Sequence, residues 1–125
     1  MPLPGAGPGS FEAQSDEFKA VGQVKGGTGI DLWHGRKGAD LQLRAGQWNS
    51  VSISVRLNTP GHSDGAVAIT VNAQTKALEG VLWRLTGTSQ INAVNFVTFF
   101  GGGSDDWNSP VDTYVCYKDI SFAAN

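Results

Sequence analysis

The sequence predicts an all-β domain, an antiparallel β-sandwich or barrel of about six or seven short strands. Three observations predict it. Apolar and polar residues alternate with the period of a strand in several short segments, the clearest being VSISVRL at 51–57. Turn residues separate these segments, since 17 of the 125 residues are glycine. No segment carries the sustained apolar spacing of an amphipathic helix.

The N-terminal segment differs in composition from the rest of the chain. It begins MPLPGAGPGSF, which is rich in proline and glycine and has neither the basic region nor the apolar run of a signal peptide. Residues 11–21, FEAQSDEFKAV, are compatible with a helical turn, but no helix is predicted there. We expect a flexible lead-in over residues 1–25 and one β-domain over residues 26–125, and the localisation stays open.

The first predicted strands follow residue 26, where short apolar pieces alternate with glycines. The segment at 51–57 places its valines, isoleucine and leucine on one face and its serines and arginine on the other. AVAITVN at 66–72 repeats this alternation. NTPGHSDG at 58–65 is a turn by composition, so the two strands are predicted to form a hairpin.

Three more strands are predicted toward the C-terminus, at 79–85, 91–100 and 112–122. The loop GGGSDDW at 101–107 lacks the Lys-Ser/Thr of a phosphate-binding loop and the spacing of an EF-hand. It is predicted to be a corner, in which Asp105 and Asp106 cap the backbone and Trp107 closes the turn. A structural calcium ion at this corner stays an open alternative.

Composition and charge exclude several classes of function. The net charge of -2 gives no basic face for nucleic acid and no polybasic membrane patch. The single cysteine, Cys116, excludes an internal disulfide. The two histidines lie in different turns with no cysteine nearby, so no zinc site is predicted and no metal-ligating residue is assigned.

The segment LWHGRKG, residues 32–38, is a candidate ligand-binding turn. It brings Trp33, His34, Arg36 and Lys37 together within a few positions. An aromatic ring beside cationic donors suits an acidic sugar, because an arginine fork can bind a carboxylate through two hydrogen bonds. A turn with exposed charges has the same composition, and this second interpretation stays open.

Several motifs, taken in order, carry a resemblance to a known family. They are Gly46-Gln47-Trp48 at a strand start, the turn from Arg56 to Gly61, the loop from Thr98 to Trp107, and the last strand from Tyr114 to Asp119. In this order and spacing, over about residues 28–122, the chain resembles the C-terminal half of polysaccharide lyase family 14. That family includes alginate and glucuronan lyases.

The resemblance implies a β-jelly-roll whose concave sheet forms a cleft for an acidic polysaccharide. It also implies cleavage by β-elimination, without a cofactor. In that reaction a cationic or amide group neutralises the uronate carboxylate, a base removes the C5 proton and an acid protonates the departing O4. Charge neutralisation in a water-poor cleft would supply the largest share of the rate enhancement.

The catalytic set that the resemblance implies is a lysine in a G-G-K-L-P-G-like segment, a Ser-x-Arg strand and a Tyr-x-Tyr strand shortly after it. We identify none of these, since Lys25-Gly26-Gly27 has the wrong order and Tyr114 and Tyr117 are spaced differently. In the resemblance these segments lie upstream of the matched part, so the jelly-roll is expected to be truncated and to lack them, and no catalytic residue is assigned. This chain alone is expected to be inactive and to self-associate through unpaired strand edges.

Two functions follow from these observations. The first is a lyase-like domain related to enzymes that cleave uronate polysaccharides. The alternative is a non-catalytic carbohydrate-binding β-sandwich module, whose candidate contacts to the polymer are His34, Arg36, Arg56 and Arg84. The arginines are equally compatible with solvated positions on strand faces, and a structural β-domain without a ligand is the third possibility.

Overall fold

A computed structural model of the chain describes residues 11–25, 29–33, 41–98 and 103–124. The chain divides into two units, Met1–Ile91 and Asn92–Asn125. The strands of the first unit form two antiparallel sheets, β1-β2 and β3-β4-β5. Its elements are α1 (Asp16–Val21), β1 (Gly22–Lys25), β2 (Gly29–Leu32), β3 (Val51–Arg56), β4 (Gly65–Val71) and β5 (Gln74–Val81).

Helix α1 occupies a segment where the sequence predicts no helix. The Ser15 hydroxyl caps its N-terminus by accepting a hydrogen bond from the Phe18 N–H at 3.2 Å. Phe18 is buried and meets the Phe11 ring edge-on, with ring centroids 6.3 Å apart. A helix this short is marginal in isolation, so the cap and the burial of Phe18 stabilise what local periodicity does not indicate.

The β1-β2 hairpin continues directly from α1, with Gly22 paired to Leu32 and Lys25 paired to Gly29. A Cβ at Gly22 would lie 3.0 Å from the Phe11 ring and 3.0 Å from the Phe18 carbonyl oxygen. Glycine at this position therefore lets the strand pass close beneath the helix. The predicted boundary at residue 25 stays a prediction, and α1 and β1 lie on its N-terminal side.

The predicted hairpin at 51–72 is confirmed as β3 and β4, with Val51 opposite Val71 and Val55 opposite Val67. The next predicted strand, at 79–85, is displaced toward the N-terminus. Strand β5 begins at Gln74 because Asn72, at φ 54°, turns the chain back immediately after β4. A second turn therefore joins β4 to β5, and the three strands form one antiparallel meander.

A β-bulge near the end of β5 sets the core position of Val81. Gly65 pairs with Val81 while Ala66 pairs with Glu79, so Gly80, at φ 70°, is the extra residue. The extra residue returns Val81 to the face of the sheet that carries the apolar β4 side chains, where it is 1% exposed. The bulge thus extends the core beyond the regular alternation of the strand.

The core of the first unit lies between α1, the β1-β2 hairpin and one face of the three-stranded sheet. Its buried side chains are Phe18, Val67, Leu78 and Val81. The buried Gln14 side chain donates to the Leu82 carbonyl at 2.8 Å and accepts from the Leu82 N–H at 3.0 Å. This pair of bonds ties the segment before α1 to the end of β5.

The second unit, Asn92–Asn125, contains a 3-10 helix at Asp105–Trp107. Its described residues form no strand, so the strands predicted at 91–100 and 112–122 are not found at 91–98 or at 112–122. Phe96 and Tyr117 pack edge-on with ring centroids 4.7 Å apart. An extended segment becomes a strand only through a hydrogen-bonded neighbour, and alternation in the sequence does not supply one.

The predicted corner at 101–107 is observed in part. The Trp107 N–H donates to the Ser104 carbonyl at 3.2 Å, which closes a single turn, while the Trp107 side chain is largely exposed. Asp105 accepts from the Asn108 side-chain amide at 3.4 Å and Asp106 from the Ser104 hydroxyl at 3.5 Å. Among the residues that the structure describes, these carboxylates accept from side chains and cap no backbone N–H.

The all-β class is confirmed in its coarse form, since strands dominate the described residues and helix is scarce. Those residues contain five strands in two sheets, fewer than the six or seven predicted. The jelly-roll sandwich stays a prediction.

Candidate functional site

The sheet β3-β4-β5 has one face made of serine, threonine, alanine and two charged side chains. Directly opposed residues of an antiparallel pair share a face, and the register Ser54↔Ala68 assigns alternate residues of β3 and β4 to this surface. Strand β5 continues each cross-strand row. We name this surface the polar face, and its rows are Ser52–Thr70–Thr75, Ser54–Ala68–Ala77 and Arg56–Ala66–Glu79.

The middle row of the polar face has small side chains and lies between two rows that can form hydrogen bonds. On one side the Thr70 and Thr75 hydroxyls lie 2.8 Å apart. On the other side is the ion pair of Arg56 and Glu79. Ser52 and Arg56 are separated along β3 by about 13 Å. The middle row therefore lies between a row of hydroxyl groups and the Arg56–Glu79 pair, and we name this exposed strip, which runs across the strands, the trough.

Arg56 stands at the charged side of this trough. Its Nη2 donates to Glu79 Oε2 at 2.8 Å and to the Asp64 carbonyl at 3.2 Å, passing over the small side chain of Ala66. The arginine and glutamate side chains are 63% and 74% exposed. An exposed pair of this kind contributes roughly 0–1 kcal/mol because water screens it. An external carboxylate can therefore compete with Glu79 for the guanidinium.

Arg84 has a structural role in the described residues. Its Nε donates to the Asn58 carbonyl at 2.9 Å and its Nη1 to the Ser89 carbonyl at 2.8 Å. The side chain is half-buried between these two segments. Arg56 and Arg84 thus both contact residues of the loop 57–64, which we name the hairpin loop, but only Arg56 also lies on the polar face.

The hairpin loop is anchored by Asn58, which is 1% exposed. Its Oδ1 accepts from the Trp83 and Arg84 N–H groups at 2.8 and 2.9 Å. Its Nδ2 donates to the Thr59 and Arg84 carbonyls, each at 2.8 Å. All four bonding positions of the amide are used, so the loop is bound to the segment after β5 at the edge of the polar face.

Asp64 closes the hairpin loop from its other end. Its carboxylate accepts from the Thr59 N–H and from the Thr59 hydroxyl, both at 2.6 Å. The pKa of Asp64 is lowered, first by the Thr59 side-chain hydrogen bond and further by backbone N–H groups and by His62, although partial desolvation opposes the shift. The ionised carboxylate therefore stabilises the hairpin loop. The Asp64 carbonyl of the same loop accepts a hydrogen bond from Arg56.

The four predicted contact residues have different outcomes. His34 and Arg36 lie outside the described residues. Arg56 lies on an open polar surface, and Arg84 braces the hairpin loop. Their binding roles stay predictions.

A Ser-x-Arg spacing is present in the chain, so the prediction that none could be identified is wrong for this segment. Ser54 and Arg56 are two positions apart in β3, and both side chains project from the polar face. The sequence signal for this spacing is the S-V-R within VSISVRL. Alternation of apolar and polar residues identifies this segment only as a strand. The following strand, β4, contains no tyrosine.

The opposite face of the sheet carries an apolar groove with a cavity volume of about 390 Å³. It extends the core surface and lies away from the polar face. Two of its lining residues, Trp33 and Leu41, each have φ 58°, which is unusual for side chains of this size. The groove is lined by Leu32, Trp33, Leu41, Ile53, Val67, Ile69 and Lys76.

In the part of the chain that the structure describes, histidine, cysteine and acidic side chains form no group of three or more that could hold a metal ion. No helix in this part is long and apolar enough to cross a membrane.

The sequence of the chain is similar to those of known proteins. The sequence model of the family described as polysaccharide lyase 14 matches residues 17–120. The chain is also similar to a protein named exolysin from Paramecium bursaria Chlorella virus 1, with 30% identity over 82 residues. That alignment covers 65% of this chain but only 13% of the viral protein. No solved structure matches the chain.

Proposed function

The chain belongs to polysaccharide lyase family 14, as its motifs predict, and on this premise we propose that it binds an acidic, uronate-containing polysaccharide in the trough of the polar face. The observation that carries the proposal is the trough itself. It is open, its floor is made of small side chains, and it has hydroxyl groups on one side and the exposed Arg56 guanidinium on the other.

The shape of the polar face suits a polymer better than a compact ligand. A small-molecule site is concave and buries most of its ligand, whereas this surface is shallow and open across three strands. A sugar chain lying along the row Ser54–Ala68–Ala77 would meet hydroxyls on one side and a cation on the other. A uronate polymer carries a carboxylate on every sugar, so whichever sugar lies beside Arg56 presents one to this single cation.

Binding without cleavage is the function that the polar face supports best. Elimination requires a base aimed at the C5 proton. The described polar face presents serine and threonine hydroxyls, Arg56 and Glu79, and Glu79 is engaged with Arg56. Strand β4, which follows the Ser54-Val55-Arg56 strand, contains no tyrosine.

The binding proposal is tested with two opposite charge changes in the same ion pair. Arg56→Ala should weaken binding to alginate or glucuronan by roughly fivefold, since an exposed charge pair contributes about 1 kcal/mol. Glu79→Gln should strengthen binding, because it removes the internal competitor for the guanidinium. Retarded migration in gels containing each polymer measures both changes.

Arg44→Ala is the matched control, because it removes the same charge from an exposed position outside the three-stranded sheet. It should leave migration almost unchanged after correction for net charge. Higher salt should weaken binding of the wild-type chain and narrow its difference from Arg56→Ala. Equal effects of the Arg44 and Arg56 substitutions would contradict a site on the polar face.

The second candidate function is β-elimination by this chain itself. The Ser54-x-Arg56 spacing on the polar face favours it, since the family pattern includes such a strand. Incubation with alginate or glucuronan and measurement of the ultraviolet absorbance of unsaturated products separates the two functions. A rise that Arg56→Ala abolishes would establish the enzyme, and a flat trace with retarded migration would establish binding alone.

A further inference from the structure

The outer edge of strand β3 is exposed, and the side chains at 51–55 are uncharged. All six residues of β3 are exposed, and among the described residues only β4 pairs with it. Val51, Ile53 and Val55 are 51%, 68% and 41% exposed, although they belong to the apolar face of the sheet. Proteins usually protect such an edge with lysine, proline or a bulge, and residues 51–55, VSISV, contain none of these.

The hydrogen bonds to β4 determine which backbone groups of β3 point outward. Just before β3, the Asn72 N–H donates to the Ser50 carbonyl at 2.8 Å. Hydrogen-bonded and non-hydrogen-bonded pairs alternate along an antiparallel ladder. The N–H and C=O groups of Ser52, Ser54 and Arg56 therefore face β4. Those of Val51, Ile53 and Val55 point away from the sheet.

We propose that β3 pairs with β3 of a second copy of this chain, antiparallel and about a two-fold axis at Ile53. In this register Ile53 lies opposite Ile53 of the other copy, and Val51 lies opposite its Val55. These are the residues whose backbone groups point outward, so each of these pairs exchanges two hydrogen bonds. The register with Ile53 on the axis therefore gives hydrogen-bond partners to the outward N–H and C=O groups of Val51, Ile53 and Val55.

The side chains agree with the same register on both faces. Valine meets valine and isoleucine meets isoleucine on the apolar face, and Ser52 meets Ser54 on the polar face. Arg56 lies opposite Ser50, so no like charges oppose each other. A shift by one residue would pair apolar with polar side chains. The two sheets then join into one, and both the apolar face and the polar face continue across the axis.

The test places a charge on each face of β3 in turn. Ile53→Lys puts two lysines face to face at the axis, where like charges repel. Ser54→Lys adds the same charge to the same strand, but its side chain would face Ser52 of the other copy. We expect the wild-type chain and Ser54→Lys to elute with twice the 13.2 kDa chain mass at high micromolar concentration. Ile53→Lys should elute at half that mass, as measured by light scattering after size exclusion.

Two further measurements separate loss of pairing from loss of folding. Ile53→Pro removes an outward N–H that the ladder to β4 does not use, so it should give a monomer with wild-type far-ultraviolet circular dichroism. In a Cys116→Ser background, Ile53→Cys should form a disulfide dimer under mild oxidation, because opposed Cα atoms in such a pair are about 5.5 Å apart. Val55→Cys in the same background should not, since Val55 faces Val51.

The possible results either support or overturn the pairing. A wild-type chain that stays monomeric at every concentration overturns it. Oligomers that persist in folded Ile53→Lys and Ile53→Pro, or equal cross-linking at positions 53 and 55, also overturn it. Selective loss of the dimer in the position 53 variants, together with cross-linking at position 53 alone, supports it.

Discussion

At the residue scale, the hairpin loop shows how two polar side chains hold an irregular segment in place. Asn58 is buried and uses its whole amide on backbone groups, so replacing it would leave several of those groups without partners. Asp64 lies at the solvent side and binds Thr59 through both carboxylate oxygens. The loop therefore has one anchor that is insensitive to pH and one that titrates.

The titrating anchor gives a prediction about stability and pH. Because the native pKa of Asp64 is lowered, its ionised form is favoured by folding. Its stabilising contribution is complete above about pH 4 and is lost as the pH falls through the native pKa. Asp64→Asn should therefore lower the melting temperature near neutral pH, and the difference from wild type should shrink as the pH falls below about 4.

Thermal unfolding followed by circular dichroism across this pH range measures the difference. Asp112→Asn, which changes an exposed carboxylate of the second unit, is the control and should give a small effect at every pH. A difference between Asp64→Asn and wild type that stays constant with pH would contradict an anchor that acts through its charge.

The candidate site is partly readable at this scale from the sequence. Alternation within VSISVRL places Arg56 on the same strand face as Ser54, and the structure agrees. Arg84 has the same alternating context, yet its guanidinium binds the Asn58 and Ser89 carbonyls. Those partners are distant in sequence or lie in an irregular segment, so periodicity alone cannot distinguish a braced arginine from an exposed one.

At the element scale, the three-stranded sheet depends on a glycine at the start of β4. A Cβ at Gly65 would lie 2.6 Å from the Val81 carbonyl oxygen and 2.7 Å from the Trp83 ring. Gly65 also sits opposite the bulge that directs Val81 into the core. This close approach lets the end of β5 and the Trp83 side chain pack over the strand.

This packing predicts that Gly65→Ala is destabilising. The new methyl group must push against backbone, so we expect a loss of about 1–3 kcal/mol in the free energy of unfolding. Urea denaturation measures it. Gly87→Ala is the matched control, because its Cβ would make only an ordinary contact of 3.7 Å with Pro60. An equal loss for the two variants would contradict the close approach at Gly65 as its cause.

The elements themselves were predictable to different degrees. The β3-β4 hairpin follows from local alternation around a turn rich in glycine and proline, and its predicted limits agree closely with the structure. Strand β5 begins earlier than predicted because Asn72 adopts a left-handed conformation. Helix α1 was not predicted, since much of its stabilisation comes from burying Phe18 against residues distant in sequence.

At the scale of the whole molecule, the two units differ in how their backbone N–H and C=O groups are hydrogen-bonded. Strand β4 is paired on both sides, by β3 and by β5. The described residues of the second unit have local turns and an aromatic pair but no strand ladder. Many of its large apolar side chains are exposed, including Val97, Val111 and Tyr114.

This contrast predicts an uneven pattern of amide hydrogen exchange. Amides of β4 should exchange slowest, because most of them open only when the sheet opens. Amides at 92–98 and 111–122 should exchange rapidly, since no ladder protects them. Exchange followed by mass spectrometry of peptides measures both. Strong protection at 111–122 would instead indicate that the strand predicted there forms in solution.

The amino-acid sequence by itself determined the all-β class, the β3-β4 hairpin, the polar and apolar faces of that hairpin, and the family. These features depend on residues close together in the chain, where the period of a strand and the chemistry of a turn act directly. The tertiary structure decided which arginine stays at the surface, where the bulge directs Val81, and that Phe18 stabilises a helix. Each of these depends on contacts between residues far apart in sequence, and local patterns do not specify such contacts.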